Sequence, residues 1–570
     1  MQRVWRIAET TPPDCPALFG VHHPVVASLL WQRGMRTREE AEIFFDPQWE
    51  THTHDHAQFR QMAGAVERTY RALQHGERIT VHGDYDADGI TGSAVIITAL
   101  QEIEKRVIPD ASGFTFQDSR IDFYIPHREK EGYGLHRETV RQLKERGTRL
   151  LITVDCGIAC VDEIAFAKEE GMDTIVVDHH QFGEILPDGW LIHPSIPQET
   201  YPFKKLAAVG VAYKFACALL DEARSRGLAI PTGWEKWLFD LVAIATVTDM
   251  VPLLGENRVL LRYGLHVLNK TRRMGLRALL RIAGTEGGEW NEETIGFTIG
   301  PRLNAAGRMD HAELALRLLL SDSPDETDAL ARDLERCNRE RQAATKRMVA
   351  EAETMISESG SDPSVLLVLW QNTWSPSLVG LVAGKFLERF GVPSIVIGCH
   401  EGKWIGSGRA TNGFDITTAV RTAGDGLLKR VGGHPQACGF TLDDENMLQE
   451  FAVRLRAYAN AILADKSVLP MLMIDAEMPL DLLDWSLMES LKRFAPFGEG
   501  NRRPVFATRG CYVTRAQTVG ANKDHLRLQA LSSNGKHFSC IGFRMGDRLS
   551  ETPVGSFIDM AYEAEVNVWN

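Results

Sequence analysis

Residues 78–89, RITVHGDYDADG, place an apolar run of strand character before a tip crowded with His82, Asp84, Asp86 and Asp88. ITGSAVIITALQEIEK follows with helical spacing. The pattern recurs downstream: TRLLITVDCG (148–157) ends on Asp155, DEIAFAKEEG has helical spacing, and DTIVVDHH (173–180) ends on Asp178, His179 and His180. Strand, helix and strand in this order predict a parallel α/β sheet wound with crossover helices. Ligands bind such sheets beyond the carboxyl ends of the strands, so these acids and imidazoles are expected in one crevice. LVAIATVTDMVPL (241–253), readable as a strand or a buried helix, adds Asp249.

So many carboxylates do not share a cleft without a cation between them. Carboxylate and imidazole donors without thiolate favour Mn²⁺ or Mg²⁺. The donors suffice for two metals about 3.5–4 Å apart, an arrangement that activates water and clamps a phosphate for in-line displacement. Phosphodiester or phosphoanhydride hydrolysis is the chemistry expected. DYDADG also opens like a calcium-binding EF-hand loop, but the twelfth position from Asp84 is Val95 where a bidentate Glu is required. A single acid at a strand tip is more often a helix cap; recurrence at four tips points to metal. Cys156 and Cys160 read as packing. The absence of a GxxxxGK run followed by Ser or Thr argues against ATP-driven work.

Further out, the 570 residues are 44% hydrophobic and 24% charged, which excludes disorder and a collagen-like fibre and implies about three or four domains. The net charge of −13 repels polyanions at long range, so any nucleic acid must be held locally. Nine scattered cysteines without a CxxC suggest a reducing cytoplasm. No apolar stretch approaches the ~20 residues of a membrane span, and the opening residues lack a signal-peptide core, so a cytosolic protein without a membrane anchor is expected. Residues 323–360 carry Leu330, Leu334, Cys337, Ala344, Met348 and Met355 at near-helical spacing. One helix of that length spans ~50 Å, enough to join two lobes. A second α/β unit runs from SVLLVLW to near residue 465. From Met471 short alternating runs read as a small β-barrel, its last strand cut short or completed by the final residues NVWN.

The motifs HGDYDADG, VDCG and DHH resemble the DHH phosphoesterase superfamily. With PRLNAAGRM (301–309), GSGRA (406–410), GGHPQACGF (432–440) and the terminal barrel they resemble the RecJ family of single-strand-specific exonucleases, as does HPVVASLLWQRGMRTREEAEIFFDP near the start. The resemblance covers nearly the whole chain. It implies an N-terminal segment (1–60) packed on a parallel-sheet DHH domain (61–322), a long connecting helix (323–360), a smaller α/β DHHA1 domain that binds nucleic acid (361–465) and an OB-fold β-barrel that binds DNA (466–570). It further implies a Mn²⁺- or Mg²⁺-dependent 5′-to-3′ exonuclease that releases mononucleotides from single-stranded DNA in recombination and repair. A monomer is expected, with a single-strand-binding protein and a RecQ-type helicase as possible partners. The competing readings are a sibling enzyme acting on oligoribonucleotides or cyclic dinucleotides, and a non-catalytic replication scaffold.

By the same resemblance Asp86, Asp88, Asp155 as bridge, His179 and Asp249 are metal ligands, with His82 a weaker candidate. His180 faces the scissile phosphate, while Asp178 and Asp84 orient the ligands. Ser407, Arg409, Gly433 and His434 contact phosphate, Arg302, Asn304 and Arg308 line the same path, and Arg128 of YIPHR meets the 5′-terminal phosphate. The family usually carries Trp-His and then a Gly where this chain has Trp374, Ser375, Pro376 and Ser377, and Ala410 stands where Ser is common.

Charge is also patterned. Arg258 to Arg281 carries seven basic residues and no acid, and Asn501 to Ala530 carries six basic residues against Asp524. The second stretch lies on the barrel, a fold that often tracks single strands, so the barrel is expected to guide the strand. Charge reversal at Arg502 and Arg503 is then expected to weaken binding of long single strands and flatten its salt dependence, measured by titration at several salt concentrations.

Overall fold

The computed structural model describes residues 4–9, 11–21, 23–107, 119–358, 365–411, 413–463 and 471–567. The expected boundaries at 360/361 and 465/466 and the terminal residues 568–570 lie outside them. Two compact units emerge: Met1–Gln48 with Pro252–Leu254 and Met471–Asn570, and Trp49–Val251 with Gly255–Pro470.

The larger unit is built on a five-stranded parallel sheet in the order Ile121–Tyr124, Arg78–Gly83, Thr148–Val154, Asp173–Val177 and Trp190–Ile192. Thr148–Val154 exposes only Arg149, because helices pack against it. That burial is why the parallel strands read as continuous apolar runs rather than alternating ones. Helix Ala87–Val107 starts directly from the DYDADG turn and packs on helices Ala208–Ser225 and Phe239–Thr248. LVAIATVTD thus resolves as a helix with Asp249 at its C-cap. It is apolar all round because it is buried, so periodicity could not separate it from a strand.

Pro324–Glu358 is the long helix, 35 residues and ~50 Å. Its first half packs on helices Met274–Ile282, Gly300–Met309 and Glu313–Leu320. Further on, Met348 and Ala352 enter a second-lobe core with Trp374, Leu378, Val382 and Phe386, and the Trp374 indole donates to Glu351 at 2.8 Å. The second-lobe sheet runs Leu428–His434, Ala437–Leu442, Lys403–Arg409, Ser394–His400, Leu367–Trp370, parallel only at the last pair.

In the smaller unit the 15-residue strand Val505–Val519 pairs with Ala476–Glu477, His525–Leu531 and Phe557–Glu563, and His537–Gly542 extends the sheet. Residues 1–48 of the N-terminal segment belong to this smaller unit. Strand Val4–Ile7 pairs in parallel with Met471–Ile474, and Phe19, Leu30, Phe44 and Phe45 share a core with Leu487, Phe494 and Phe506. Residues 15–45 share that core with the C-terminal elements, while Trp49 packs edge-on to Phe239 at 4.8 Å in the larger unit. An apolar helix face shows that something covers it, not what.

The basic stretches are not the bare patches that counting suggested. Arg258 is buried, Arg272 lies on the Trp237 ring, Arg273 pairs with Asp240 at 3.2 Å and Arg281 with Asp328. In the barrel unit Arg502 pairs with Glu499 (3.0 Å), Arg503 with Glu565 (3.2 Å) and Arg509 with Asp559 (2.9 Å). Arg515 and Arg527 stand exposed on adjacent strands and, with the exposed Lys523, carry the remaining positive charge of the stretch. Among the described residues, no helix is long and apolar enough to cross a membrane.

Arg33 ties the smaller unit together. It donates to Asn501 Oδ1 (2.6 Å), the Arg502 carbonyl (2.7 Å) and the Leu29 carbonyl (3.0 Å), beneath the Phe494 ring. Arg33→Ala is expected to destabilise this unit by about 3 kcal/mol, since removing a buried charged donor leaves its acceptors unpaired. Hydrogen exchange should then rise in residues 15–45 and 494–506 together.

Candidate metal and phosphate site

The acids arrive from three strand tips and one helix end. Arg78–Gly83 leads into Asp84, Asp86 and Asp88, Thr148–Val154 ends before Asp155, Asp173–Val177 before Asp178–His180, and Phe239–Thr248 before Asp249. Their donor atoms form three overlapping groups, Asp84/Asp86/Asp155, Asp155/His179/His180 and Asp88/His179/Asp249, each within 4.8 Å. Asp155 and His179 belong to two groups each, so the three fuse into one site. His179 Nε2 lies 3.4 Å from Asp155 Oδ1, 3.6 Å from Asp249 Oδ2 and 3.8 Å from Asp88 Oδ2. Two donors each about 2.1 Å from an octahedral cation stand roughly 3.0 Å apart when adjacent and roughly 4.2 Å apart when opposite.

Asp84 Oδ1, Asp155 Oδ1 and His179 Nε2 are buried without a hydrogen-bond partner. Burial, followed by repulsion from Asp88, Asp86, Asp84 and Asp249, pushes the Asp155 carboxyl well above its usual range. Asp84 and Asp249 are raised well above theirs by burial and then by neighbouring carboxylates. Asp88 is pushed up to about 7 by burial and Asp86, although Ala208 N–H (2.7 Å) and Val209 N–H (2.8 Å) donate to it. Asp155 adopts a left-handed backbone, φ 61°, a strained turn held by its N–H bond to the Val177 carbonyl. Orphaned hard donors and uncompensated negative charge both fit divalent cations held by oxygen and imidazole.

Asp178 and His180 form a separate charged couple. Asp178 accepts from the backbone N–H of Ile158, His179 and His180 and from His180 Nδ1 at 2.9 Å. Burial opposes its charge, yet the His180 hydrogen bond holds its carboxyl down at about 2. Burial likewise opposes the His180 charge, but Asp178 raises the imidazole to about 9. The Tyr133 hydroxyl donates to the Asp155 carbonyl (3.0 Å) and lies 3.1 Å from His180 Nδ1. His82 joins none of the three groups among the described residues; burial lowers it to about 4, and its Nε2 is also unpartnered.

Arginines gather close by. Arg128 stacks over the Tyr85 ring at 4.5 Å. Burial, and then repulsion from Arg128 and Arg341, lowers Arg308 to about 9; burial and Arg128 lower Arg409 as well. Arg308 donates to the Ser377 carbonyl at 2.6 Å, and Arg409 to Ser407 Oγ at 2.7 Å. A Cβ on Gly380 would stand 3.0 Å from the Arg409 guanidinium, so this glycine admits the close approach. Gly307 plays the same part for PRLNAAGRM, where a Cβ would meet the Tyr85 carbonyl at 2.8 Å.

The remaining expected contacts have structural partners. Arg302 bonds Glu335 at 2.8 Å, and Asn304 accepts from the Ala87 N–H at 2.8 Å, holding the start of the DYDADG helix. Gly433 and His434 lie on an exposed hairpin, the His434 carbonyl accepting from Thr417.

Residues 78–246 match the family model described as DHH family, N-terminal domain; residues 362–461 match the DHHA1 domain and residues 474–570 the RecJ OB domain. A single-stranded-DNA-specific exonuclease RecJ of Dickeya dadantii (strain 3937) is 31% identical over 579 residues, covering 98% of this chain and 95% of that protein. The chain belongs to the RecJ family. The Bacillus subtilis (strain 168) RecJ is 37% identical over 550 residues, 96% of this chain, which spans 66% of that relative's length. The crystal structure of Thermus thermophilus RecJ in complex with Mn²⁺ matches with a TM-score of 0.80 and 29% identity, covering 100% of this chain and 77% of that one. A second Thermus thermophilus RecJ structure, in complex with Mg²⁺, gives a TM-score of 0.74 at 28% identity, covering 100% of this chain and 76% of that one.

Sequence reading passed over Tyr133 and Arg341. Tyr133 sits in EGYG, five residues after Arg128, a spacing that signals nothing until the loop folds back onto Asp155. Arg341 lies on the long helix, lowered by burial and then Arg302, its Nε buried and unpartnered. A run of helical arginines reads as a solvated face.

Saturating Mn²⁺ is expected to stabilise the wild-type chain by about 2.7 kcal/mol per site at 100 times Kd, and so to raise its thermal midpoint. Asp155→Asn should lose most of that gain. Without metal, Asp155→Asn should unfold at a higher temperature than wild type, because it removes a repelled buried charge. Scanning calorimetry with and without chelator reads both.

Proposed function

We propose that the chain is a single-stranded-DNA-specific exonuclease that hydrolyses from the 5′ end and releases mononucleotides, using Mn²⁺ or Mg²⁺. The carrying observation is the cluster of orphaned donors, Asp84, Asp155 and His179, in the same unit as Arg128, which repels both Arg308 and Arg409. One group carries uncompensated negative charge and the other uncompensated positive charge, which a metal-assisted phosphodiester substrate neutralises together.

Asp86, Asp88, Asp155, His179 and Asp249 would hold the metals, with Asp84 beside them and His82 behind. When bound, two divalent cations supply Lewis-acid charge and activate a water for in-line attack. Asp178 keeps His180 protonated at neutral pH, so the imidazolium donates to the scissile phosphate as negative charge grows there. Tyr133 fixes that ring. Arg308, Arg409 and Ser407 take phosphate oxygens along the strand, with Arg341 extending the path. Arg128, braced on Tyr85, receives the 5′-terminal phosphate, which sets the direction. On this reading the enzyme works as a monomer in the cytoplasm, in recombination and repair, with a single-strand-binding protein and a RecQ-type helicase as partners. The RecJ OB-domain match over residues 474–570 supports a long substrate over the short ones of the sibling reading.

The test uses single-stranded DNA labelled at either end, a duplex control and Mn²⁺. Wild type is expected to release mononucleotides from the 5′ end of the single strand alone, and Asp155→Ala to lower kcat by about 10³-fold or more. Cleavage confined to di- to pentanucleotides or cyclic dinucleotides would favour the sibling enzyme. Binding without hydrolysis would favour the scaffold.

A further inference from the structure

Glu129, the residue after Arg128, bridges the two lobes of the larger unit. Its Oε1 accepts from Ser375 Oγ at 3.0 Å and from Ser377 Oγ at 2.8 Å. Ser375 is the N-cap residue and Ser377 lies in the first turn of helix Pro376–Phe390, while Glu129 belongs to the loop after strand Ile121–Tyr124. Ser377 is buried, and its carbonyl takes the Arg308 guanidinium, so one serine meets both sides of the cationic cluster. One turn further on, Gly380 gives room to Arg409 and Ser407. His400 Nδ1 lies 3.9 Å from Glu129 Oε2. The loop carrying Arg128 is itself braced: the Glu129 N–H donates to His127 Nδ1 (3.2 Å), and Glu131 accepts from the His127 N–H and the Tyr124 hydroxyl, each at 2.6 Å.

This arrangement answers a physical problem. Arg128 repels Arg308 on its own lobe and Arg409 on the second, and the repulsion from Arg409 works against close approach of the Arg128 loop to the second lobe. Among the described residues, the hydrogen bonds from the Arg128–Lys130 stretch to the second lobe run through the Glu129 carboxylate, and they are charge-assisted. The two serines that donate are the same ones that depart from the family pattern.

We propose that Glu129 is a positioning residue: by clasping Ser375 and Ser377 it holds Arg128 against Arg308 and Arg409, and so sets a preference for strands with a 5′ phosphate. The inference rests on the exonuclease reading for its substrate, and on the two serine hydrogen bonds for the clasp.

The test compares the full-length Mn²⁺ enzyme with Glu129→Ala, Glu129→Gln and the double variant Ser375→Ala/Ser377→Ala. Hydrogen exchange without DNA is measured over residues 126–133 and 374–380, and kcat and KM are measured on 5′-phosphorylated and 5′-hydroxyl single strands. Glu129→Ala and the double-serine variant are expected to exchange faster in both segments. They should raise KM for the 5′-phosphorylated strand about tenfold, the effect of losing one charge-assisted hydrogen bond, with kcat and the 5′-hydroxyl strand little changed. Glu129→Gln keeps an acceptor oxygen for both serines and should retain the preference. Unchanged exchange overturns the clasp. An equal KM rise for both strands, a loss confined to kcat, or failure of Glu129→Gln to rescue overturns the positioning role. A wild-type chain that hydrolyses neither strand sinks the exonuclease reading and the end preference with it, and the exchange result then decides the clasp alone.

Discussion

Repulsion between carboxylates withdrawn from water governs the centre of this molecule. Asp84, Asp88, Asp155 and Asp249 meet in a space where burial and mutual charge hold each carboxyl above its usual range. Folding alone does not repay that arrangement, and several features exist to enforce it. The Asp155 backbone turns left-handed, the Asp88 carboxylate is pinned by two N–H groups at a helix start, and Asp249 arrives from a helix with no polar face. Such enforced crowding is stable when a cation takes the donors that hydrogen bonds leave free. The RecJ relatives solved with Mn²⁺ and Mg²⁺ share this fold.

Where the two lobes of the larger unit meet, the logic repeats with the opposite sign. A protein of net charge −13 places Arg128 where it repels both Arg308 and Arg409. The field of such half-buried guanidinium groups is felt strongly only at short range, whereas the net charge acts at long range. The long helix serves both halves, entering the cores of the two lobes and carrying Glu335 and Arg341 toward Arg302.

The smaller unit shows how pairing cancels what counting suggests. Its arginines at 502, 503 and 509 each face an acid from outside the basic stretch, so linear charge overstates the positive surface. Its core likewise joins the two ends of the chain, with Phe44 and Phe45 closing on Phe494 at 5.5 and 5.2 Å.

The sequence by itself determined the parallel α/β sheet, the acids at its strand ends, the connecting helix and the choice of hard divalent metals. Each follows from local periodicity or donor chemistry, which neighbouring residues carry in full. It named the residues that now stand together around Asp155 and His179, because a strand's last residue points into the crevice whatever the rest of the chain does. It did not separate ligand from support among the others. Asn304 holds a helix start, Arg302 bonds Glu335, and His434 lies on an exposed hairpin. Those roles depend on partners tens or hundreds of residues away. Tyr133, Arg341 and Glu129, the cover of the N-terminal segment and the helical state of LVAIATVTD were decided only by tertiary structure. Burial, charge pairing and hydrogen bonding are properties of what surrounds a residue, and periodicity records only that a face is covered.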